Sequence, residues 1–452
     1  MREFSLIFFL LFTIGCARDE KPIPINEVKS TRNVVVIFKN KPVSNQVEKL
    51  NFISQNPDIY IEKTELSTLT TKQKDFEKSY FKPWNMKNAG PLENKVAWAF
   101  KTYTSKNSYG EDLKPRDSAF FKKMKDDANF KNYSSINKKA ITLHKVNLRA
   151  FPTNKPILMN PTKAGEGFPF DYLQNTTIAA NKPIFATHYS KNKEWIHIVS
   201  SFAFGWVKTN EIVFLKKFQT DIWQKAEQIF LSEDAIPIYS MQGKFLFKSQ
   251  LGMILALIDE TQKDYIVLAV SNYKNSKPLF IKAKISKAYA HKGKLLFNKQ
   301  NIESSLKQLL TSKYGWGGIY GQRDCSSTMR DFFAPFGLWL PRNSFLQAKV
   351  GTVISLKNLN NNEKLKIISE KAIPFRTLLY KKGHIALYVG TNQGEIIIFQ
   401  NVWGVKTKED GKEGRYLVGK ALFSTLELGK NLKNYDKSAS FLEKIVSINI
   451  LN

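Results

Sequence analysis

The chain has only two cysteines in 452 residues, at positions 16 and 325, so its fold cannot rest on a framework of disulfide bonds. Cys16 ends a short apolar leader that runs from Leu6 to Gly15. An apolar core of that length is too short to span a bilayer and follows a basic residue, Arg2. Residues 1–15 are therefore predicted to be a signal peptide.

The end of this leader, Thr13-Ile14-Gly15-Cys16, is similar to a lipoprotein signal. It predicts a lipid on Cys16 and a polar tether over residues 16–35. The mature protein is then expected on the periplasmic face of a membrane, with the outer membrane favoured, and the membrane is a partner through this anchor. Cleavage nearby, which would release a soluble exported protein, is the alternative. With Cys16 lipidated, Cys325 is an unpaired thiol in an exported chain, which suggests a nucleophile.

The composition is strongly basic, with 69 Lys and Arg against 39 Asp and Glu and a formal net charge of +30. Such a charge favours an anionic surface, for example a carboxylate-rich cell wall or anionic lipid. The lysines are spread along the chain and form no nucleic-acid-binding motif, so nucleic acid is not a predicted partner. No spaced Cys/His set predicts a metal site, and no motif predicts a cofactor.

Four units are predicted after the tether. Residues 36–139 are partly helical, as in the helical spacing from Thr70 to Phe81. Residues 140–215 and 216–301 are rich in short strands and turns and are predicted to form two small β-barrels. In the first of them Thr142 to Arg149 alternates as one half-buried strand would. Residues 302–452 read as an α+β unit, so the whole chain is assigned to the α+β multidomain class.

In the last unit, a helix is predicted over Cys325 to Phe333, with Asp324 as its N-cap. A helix N-terminus stabilises a thiolate, which is the form in which cysteine attacks carbonyl carbon. Strands are predicted over His384 to Gly390 and Glu395 to Trp403, joined by a turn at Thr391 to Gly394.

His384 is the one histidine that follows Cys325 in the chain, which makes it the candidate base. If the hairpin turn is centred on Asn392, His384 lies opposite Gln400, whose amide could orient the imidazole. A slip of one residue would present Asn401 instead. An inert buried cysteine with a core histidine is the competing interpretation. His188 and His197 are interpreted as packing or surface residues.

Together these segments make the chain resemble the NlpC/P60 family of cell-wall cysteine peptidases, of the branch with an N-terminal stabilising domain and two bacterial SH3-type domains. The matching segments are Tyr80-Phe81-Lys82-Pro83-Trp84, Phe168-Pro169-Phe170-Asp171-Tyr172-Leu173-Gln174, Gly205-Trp206-Val207, Tyr314-Gly315-Trp316-Gly317-Gly318, Asp324-Cys325-Ser326-Ser327, Leu340-Pro341-Arg342-Asn343-Ser344-Phe345-Leu346-Gln347 and Gly383-His384-Ile385-Ala386-Leu387-Tyr388-Val389-Gly390.

The resemblance implies a papain-like catalytic domain in which Cys325 is the nucleophile, His384 the base and Gln400 the orienting residue. Much of the family has histidine at this third position, so the chain departs from the commoner pattern. Asp324 and Ser326 are implied as contacts for the free amine of a substrate, with helix capping as the alternative role. Tyr314 is implied to line the oxyanion site or the groove, with packing as its alternative.

The resemblance also implies the substrate, a peptidoglycan stem peptide cleaved at the bond between γ-D-glutamate and diaminopimelate or lysine. An exported cysteine peptidase acting on peptidoglycan is therefore the leading hypothesis. One alternative is a cell-wall-binding module with little or no turnover, suggested by the substituted third position and the positive charge. A third is an amidase or acyl transferase that uses the same cysteine.

Overall fold

Three antiparallel sheets organise the computed structural model, which describes residues 50, 53–90, 96–274 and 277–452. The predicted signal peptide, the tether, the lipidation site Cys16 and the first residues of the N-terminal unit lie outside the described residues. All described residues belong to one compact unit, 44–452. No helix in these ranges is both long enough and apolar enough to cross a membrane.

The helices and strands are short, and most of the strands pair with a neighbour in sequence. The helices are α1 Asp58–Glu62, α2 Gln73–Tyr80, α3 Trp98–Thr102, α4 Ser118–Ala128, α5 Lys217–Lys225, α6 Lys299–Leu310, α7 Cys325–Phe333, α8 Ser344–Gln347, α9 Asn361–Lys371 and α10 Phe441–Lys444. The strands are β1 Lys138–Thr142, β2 Val146–Arg149, β3 Gln174–Ile178, β4 Pro183–Tyr189, β5 Trp195–Ser200, β6 Phe204–Lys208, β7 Ile212–Phe214, β8 Gln228–Leu231, β9 Pro237–Ser240, β10 Phe245–Lys248, β11 Ile254–Glu260, β12 Asp264–Lys274, β13 Lys277–Ser286, β14 Ala290–Lys292, β15 Thr352–Ser355, β16 Thr377–Lys381, β17 His384–Asn392, β18 Glu395–Glu409, β19 Lys412–Thr425 and β20 Ile445–Ile450.

The first sheet has the strand order β3-β2-β6-β5-β4-β1-β7, and the second has the order β10-β9-β13-β12-β11-β8-β14. The α+β multidomain class is confirmed. The single strand predicted over residues 142–149 is wrong, because the chain turns at residues 143–145 between β1 and β2. Leu143, Val146 and Leu148 are all buried, but the step of three residues from Leu143 to Val146 breaks the period of two, so strict alternation fails at this turn.

The N-terminal helices pack against these sheets through aromatic side chains. The helix predicted over residues 70–81 is confirmed as α2, and Trp84 follows it. The indole N–H of Trp84 donates to the carbonyl of Ala140 at 2.7 Å. Its ring stacks on Phe81 and meets Trp223 edge to face, with centroids 5.6 and 5.9 Å apart. A fully buried tryptophan thus joins the helical segment to strand β1 and helix α5.

The third sheet, β15-β20-β16-β17-β18-β19, lies between two helical layers. One face carries Leu387 and Phe399 and packs with Met329 of α7. The other face carries Ala386 and Ile398 and packs with the residues of α9 and α10. Alternate residues of β17 therefore contact different helices, which places the Cys325 helix on one face of this sheet.

A pair of buried histidines lies inside the first sheet, with rings 5.4 Å apart. The Nδ1 atoms of His188 and His197 each lie 2.9 Å from the hydroxyl of Thr187, and Nε2 of His188 lies 2.9 Å from the carbonyl of Ala128. Burial lowers the pKa of His188 to about 4 and that of His197 well below its usual value. Both rings are therefore neutral packing groups near neutral pH.

We expect this pair to make the fold sensitive to acid. Both histidines have lower pKa values folded than unfolded, so protons bind the unfolded chain preferentially, and stability falls as pH drops from about 6.5 toward 4. At pH 5, His188 alone should cost about 2 kcal/mol relative to pH 7. Urea unfolding at the two pH values measures this loss. His188→Gln should reduce it, whereas the exposed His291→Gln should leave it unchanged. An equal loss in wild type and His188→Gln would show that this pair is not its source.

Candidate active site

The helix that carries Cys325 begins at that residue because Asp324 caps it. The carboxylate of Asp324 accepts from the backbone N–H of Ser327 at 2.9 Å, and the Ser327 hydroxyl accepts from the N–H of Asp324 at 2.9 Å. This reciprocal capping box satisfies two backbone donors of the first turn. The predicted helix and its N-cap are both confirmed, with the bounds Cys325–Phe333.

The sulfur of Cys325 lies where the helix N-terminus meets the third sheet. The backbone N–H groups of Ser326 and of Ile385, the residue that follows His384, lie beside it. The side chain is only 6% exposed. Burial, followed by the charge of Asp324, raises the pKa of the thiol to about 12, although both N–H groups and Arg342 lower it. Desolvation therefore opposes the stabilisation that the helix N-terminus gives to a thiolate, and it favours the neutral thiol at rest.

The imidazole of His384 is held by an amide. Its Nε2 lies 2.7 Å from Oε1 of Gln400, and Nε2 of Gln400 donates to the Ser424 hydroxyl at 2.6 Å. An amide oxygen only accepts, so Nε2 of His384 carries the hydrogen and Nδ1 keeps its lone pair. Burial, followed by the charge of Lys381, lowers the pKa of His384 to about 4. The neutral ring is thus fixed in the tautomer that a proton acceptor at Nδ1 requires.

The strand register brings Gln400 to His384 by a route that differs from the predicted one. The turn residues are Gln393 and Gly394, both with positive φ, and β17 carries a bulge between Tyr388 and Gly390. Leu387 therefore pairs with Phe399, and continuing that register puts Gln400 opposite Ala386, one diagonal step from His384 on the same face. The predicted direct opposition of His384 and Gln400 is wrong, although the two side chains are in contact.

Asn401, the alternative third residue, points to a different part of the molecule. Its amide donates to the carbonyl of Arg323 at 3.1 Å and to the hydroxyl of Thr328 at 3.2 Å. The side chain is fully buried against the Cys325 helix. Of the two candidates, Gln400 is the one that the structure brings to the imidazole.

Asp324 and Ser326 are occupied by Arg342. The guanidinium donates to both carboxylate oxygens of Asp324, at 2.6 and 3.1 Å, and to the Ser326 hydroxyl at 2.9 Å. All three residues are buried, with 5–8% exposure. Their implied role as contacts for a substrate amine stays a prediction, since these contacts neither include nor exclude a further donor on the carboxylate. The structure places Asp324 and Ser326 as groups that position the helix.

A groove of about 320 Å³ opens beside His384. Tyr314 lines it together with His384 and Gln400, as the resemblance implied. Burial raises the pKa of Tyr314 well above its usual value, and the nearby Cys325 and Asp324 add to the shift, so the phenol stays protonated and able to donate.

The aromatic wall and two cations of this groove were not predicted as site residues. The ring of Phe170 lies edge to face with both Trp316 and Trp403, at 5.4 and 5.6 Å. Lys381 of β16 and Arg415 of β19 line the same groove. Phe170 and Trp316 fall in segments that carried the family resemblance, whereas nothing in the sequence pattern marked Lys381 or Arg415.

The glycine-rich segment before Cys325 is a docking surface for the first sheet. A Cβ on Gly317 would lie 2.2 Å from the carbonyl oxygen of Gln174, and one on Gly318 would lie 2.5 Å from the Thr177 hydroxyl. Both glycines also have positive φ. The amide of Gln174 donates to the carbonyl of Gly317 at 3.1 Å. Glycine is required here because two backbones approach closely.

Comparison with protein families gives four matches along the chain. The model of the NlpC/P60 family matches residues 311–406, and the NlpC/P60 N-terminal stabilising domain matches residues 5–133. An SH3 domain of the SH3b1 type matches residues 156–208, and one of the SH3b2 type matches residues 217–262. A search of curated proteins found no match.

Solved structures similar to this chain are also NlpC/P60 proteins. An endopeptidase from Photobacterium damselae subsp. piscicida has a TM-score of 0.75 and 23% identity, covering 88% of this chain and 97% of its own. A family protein from Bacillus cereus ATCC 10987 scores 0.43 at 14% identity, covering 69% and 99%. NlpC2 from Trichomonas vaginalis scores 0.26 at 12% identity, covering 70% and 97%. The first likeness shows the fold, and the other two scores are too low to support an argument.

We expect alkylation of Cys325 to report its neutral resting state. With a thiol pKa of about 12, the rate with iodoacetamide in a Cys16→Ser background should rise about tenfold per pH unit from pH 7 to 10. The same chain unfolded in urea is the control, and its rate should level off near the ordinary thiol pKa of about 8.5. A folded-state rate that is already constant below pH 7 would instead show a preformed thiolate–imidazolium pair.

Proposed function

The chain belongs to the NlpC/P60 family, and from that membership we propose that it is a cysteine peptidase that hydrolyses the γ-D-glutamyl–diaminopimelate bond of peptidoglycan stem peptides. The match to this family supports the coarser assignment, a peptidase that acts on the cell wall. The observation that carries the finer proposal is the contact of Nε2 of His384 with Oε1 of Gln400, on the strand whose next residue, Ile385, brings its backbone N–H to the Cys325 thiol.

In the proposed reaction, Nδ1 of His384 takes the thiol proton as the Cys325 sulfur attacks the γ-carbonyl carbon. This proton transfer from thiol to imidazole is the step expected when Cys325 and His384 are both neutral at rest. The oxyanion that forms is stabilised by backbone N–H groups at the start of α7 and by the Tyr314 hydroxyl. The imidazolium then protonates the leaving amine, the C–N bond breaks, and water hydrolyses the thioester with His384 as base.

The positive charge of the groove supports a substrate whose leaving amine carries an extra carboxylate. Lys381 donates weakly to the carbonyl of Ala439 at 3.5 Å, and Arg415 donates to the carbonyl of Gly414 at 3.0 Å. Among the described residues, neither forms an ion pair with a carboxylate, unlike Lys406, which contacts Glu413 and Asp436. Diaminopimelate has a second carboxylate that lysine lacks. A carboxylate beside these two cations would form charge-assisted hydrogen bonds.

The cellular setting is also a proposal and rests on the leader alone. We infer export, lipidation of Cys16 and attachment to the outer membrane from Thr13-Ile14-Gly15-Cys16. The tether of residues 16–35 would let the enzyme reach the wall.

Product analysis with defined muropeptides tests the proposed reaction. Wild type should release a diaminopimelate-containing product with a new free amine, and Cys325→Ala should release none, as seen by mass spectrometry. We expect kcat/KM for the diaminopimelate peptide to exceed that for its lysine counterpart about tenfold, the value of one charge-assisted hydrogen bond. Binding to intact sacculi without a new amine would instead establish a wall-binding module. A different new end group would establish an amidase or a transferase.

Substitution of two adjacent amides tests the orienting role of Gln400. Gln400→Ala should lower kcat about tenfold to a hundredfold, because the imidazole loses the partner that fixes its tautomer. Asn401→Ala is the matched control and should lower the free energy of unfolding by about 1–3 kcal/mol, because it removes the two buried hydrogen bonds that the amide donates to Arg323 and Thr328. Activity and urea unfolding of both variants separate these effects. Unchanged turnover in Gln400→Ala would remove Gln400 from the catalytic group.

A further inference from the structure

A second cavity, of about 60 Å³, lies beside helix α7. Ser327, Arg330 and Asp331 of that helix line it. The rest of its wall comes from other parts of the chain, including Tyr80 of α2 and Lys182, which immediately precedes β4. All of the main segments of the molecule therefore meet around this space.

The lining has a large excess of positive charge. Asp331 is its one carboxylate among the described residues, and five cations surround it: Lys145, Lys182, Arg323, Arg330 and Arg342. Two of the arginines are neutralised, since Arg323 pairs with Asp234 and Asp331, and Arg342 pairs with Asp324.

Lys182 and Arg330 form no ion pair with a carboxylate in the described part of the chain. Lys182 is 9% exposed, and its ammonium lies 3.1 Å from the ring centroid of Tyr80. Arg330 donates through Nε to the carbonyl of Leu340 at 2.9 Å, and its guanidinium lies 3.9 Å from the ring centroid of Phe202. Burial lowers the pKa of both groups, and Arg330 contributes to the shift of Lys182.

A neutral donor in the same wall also lacks a partner. Trp339 lines the cavity, and its indole N–H is buried with no acceptor. Ammonium, guanidinium and indole are groups that donate hydrogen bonds and do not accept them. A ligand that satisfies all three must therefore accept several hydrogen bonds and carry negative charge.

We propose that this cavity binds one small tetrahedral oxyanion of the phosphate or sulfate class, held by Lys182, Arg330 and Trp339. A buried water needs about 10–15 Å³ of such space, so this volume holds roughly four waters, enough for an inorganic oxyanion. The ion would neutralise two buried cations that otherwise repel each other. Through Lys182 and Arg330 it would also join the first sheet to the Cys325 helix. The site is independent of the proposed peptidase reaction.

Thermal unfolding of the full chain tests the site. Millimolar phosphate or sulfate should raise the Tm of wild type by several degrees in a saturable way, beyond the change caused by chloride at equal ionic strength, because ligands that bind only the folded state stabilise it. Calorimetric titration with sulfate should give one site per chain. An equal response to chloride, or no saturable heat, would overturn the proposal.

Two variants and a control connect the response to the cavity. Lys182→Met keeps the apolar contact with Tyr80 and removes a buried charge, so it should fold and have a higher Tm than wild type in buffer without oxyanions. It should lose the oxyanion-specific rise in Tm, as should Arg330→Met. Lys263→Met, an exposed site of equal charge change, should keep the rise. Retention of the rise in both cavity variants would place the bound ion elsewhere and overturn the proposal.

Discussion

A single buried guanidinium, that of Arg342, fixes the position of the thiol. Two of its nitrogens hold both oxygens of the Asp324 carboxylate, and its Nε donates to the Thr176 hydroxyl of the first sheet at 2.6 Å. Asp324 in turn caps the helix that begins at Cys325. Removing one member of a buried pair leaves the other charge without a partner, which costs several kcal/mol. The location of the sulfur is therefore tied to the docking of the first sheet on the catalytic unit.

The same docking builds the groove. Gly317 and Gly318 allow β3 to approach the loop before Cys325, and the close approach brings Phe170 against Trp316 and Trp403. The wall of the groove thus comes from two units that are distant in sequence. The SH3-type domain therefore contributes Gly165 and Phe170 to the lining of the groove.

Much of this arrangement could be predicted from local sequence. The Cys325 helix, its cap and the hairpin that carries His384 follow from short-range rules of capping and turn chemistry, and all are found in the structure. The strand register could not be predicted, because a bulge in β17 and a two-residue turn shift it in ways that alternation does not encode. Gln400 reaches His384 as a diagonal neighbour rather than a direct one. The partners of Asp324 and Ser326 and the cations of the groove depend on tertiary contacts, which no local pattern records.

The balance between burial and ionisation gives the site a further property. A helix N-terminus would by itself favour the thiolate, which is also the form that oxidants attack. In this site desolvation has a larger effect than the helix N-terminus. It raises the pKa of the Cys325 thiol and lowers that of the His384 imidazole, so both neutral forms are favoured at rest. For the exported enzyme that we propose, a neutral and nearly buried thiol is protected in an oxidising compartment where it has no disulfide partner. In the proposed reaction the thiol therefore loses its proton only as it attacks: the imidazole accepts the proton while the sulfur electrons form the bond to the substrate carbonyl carbon.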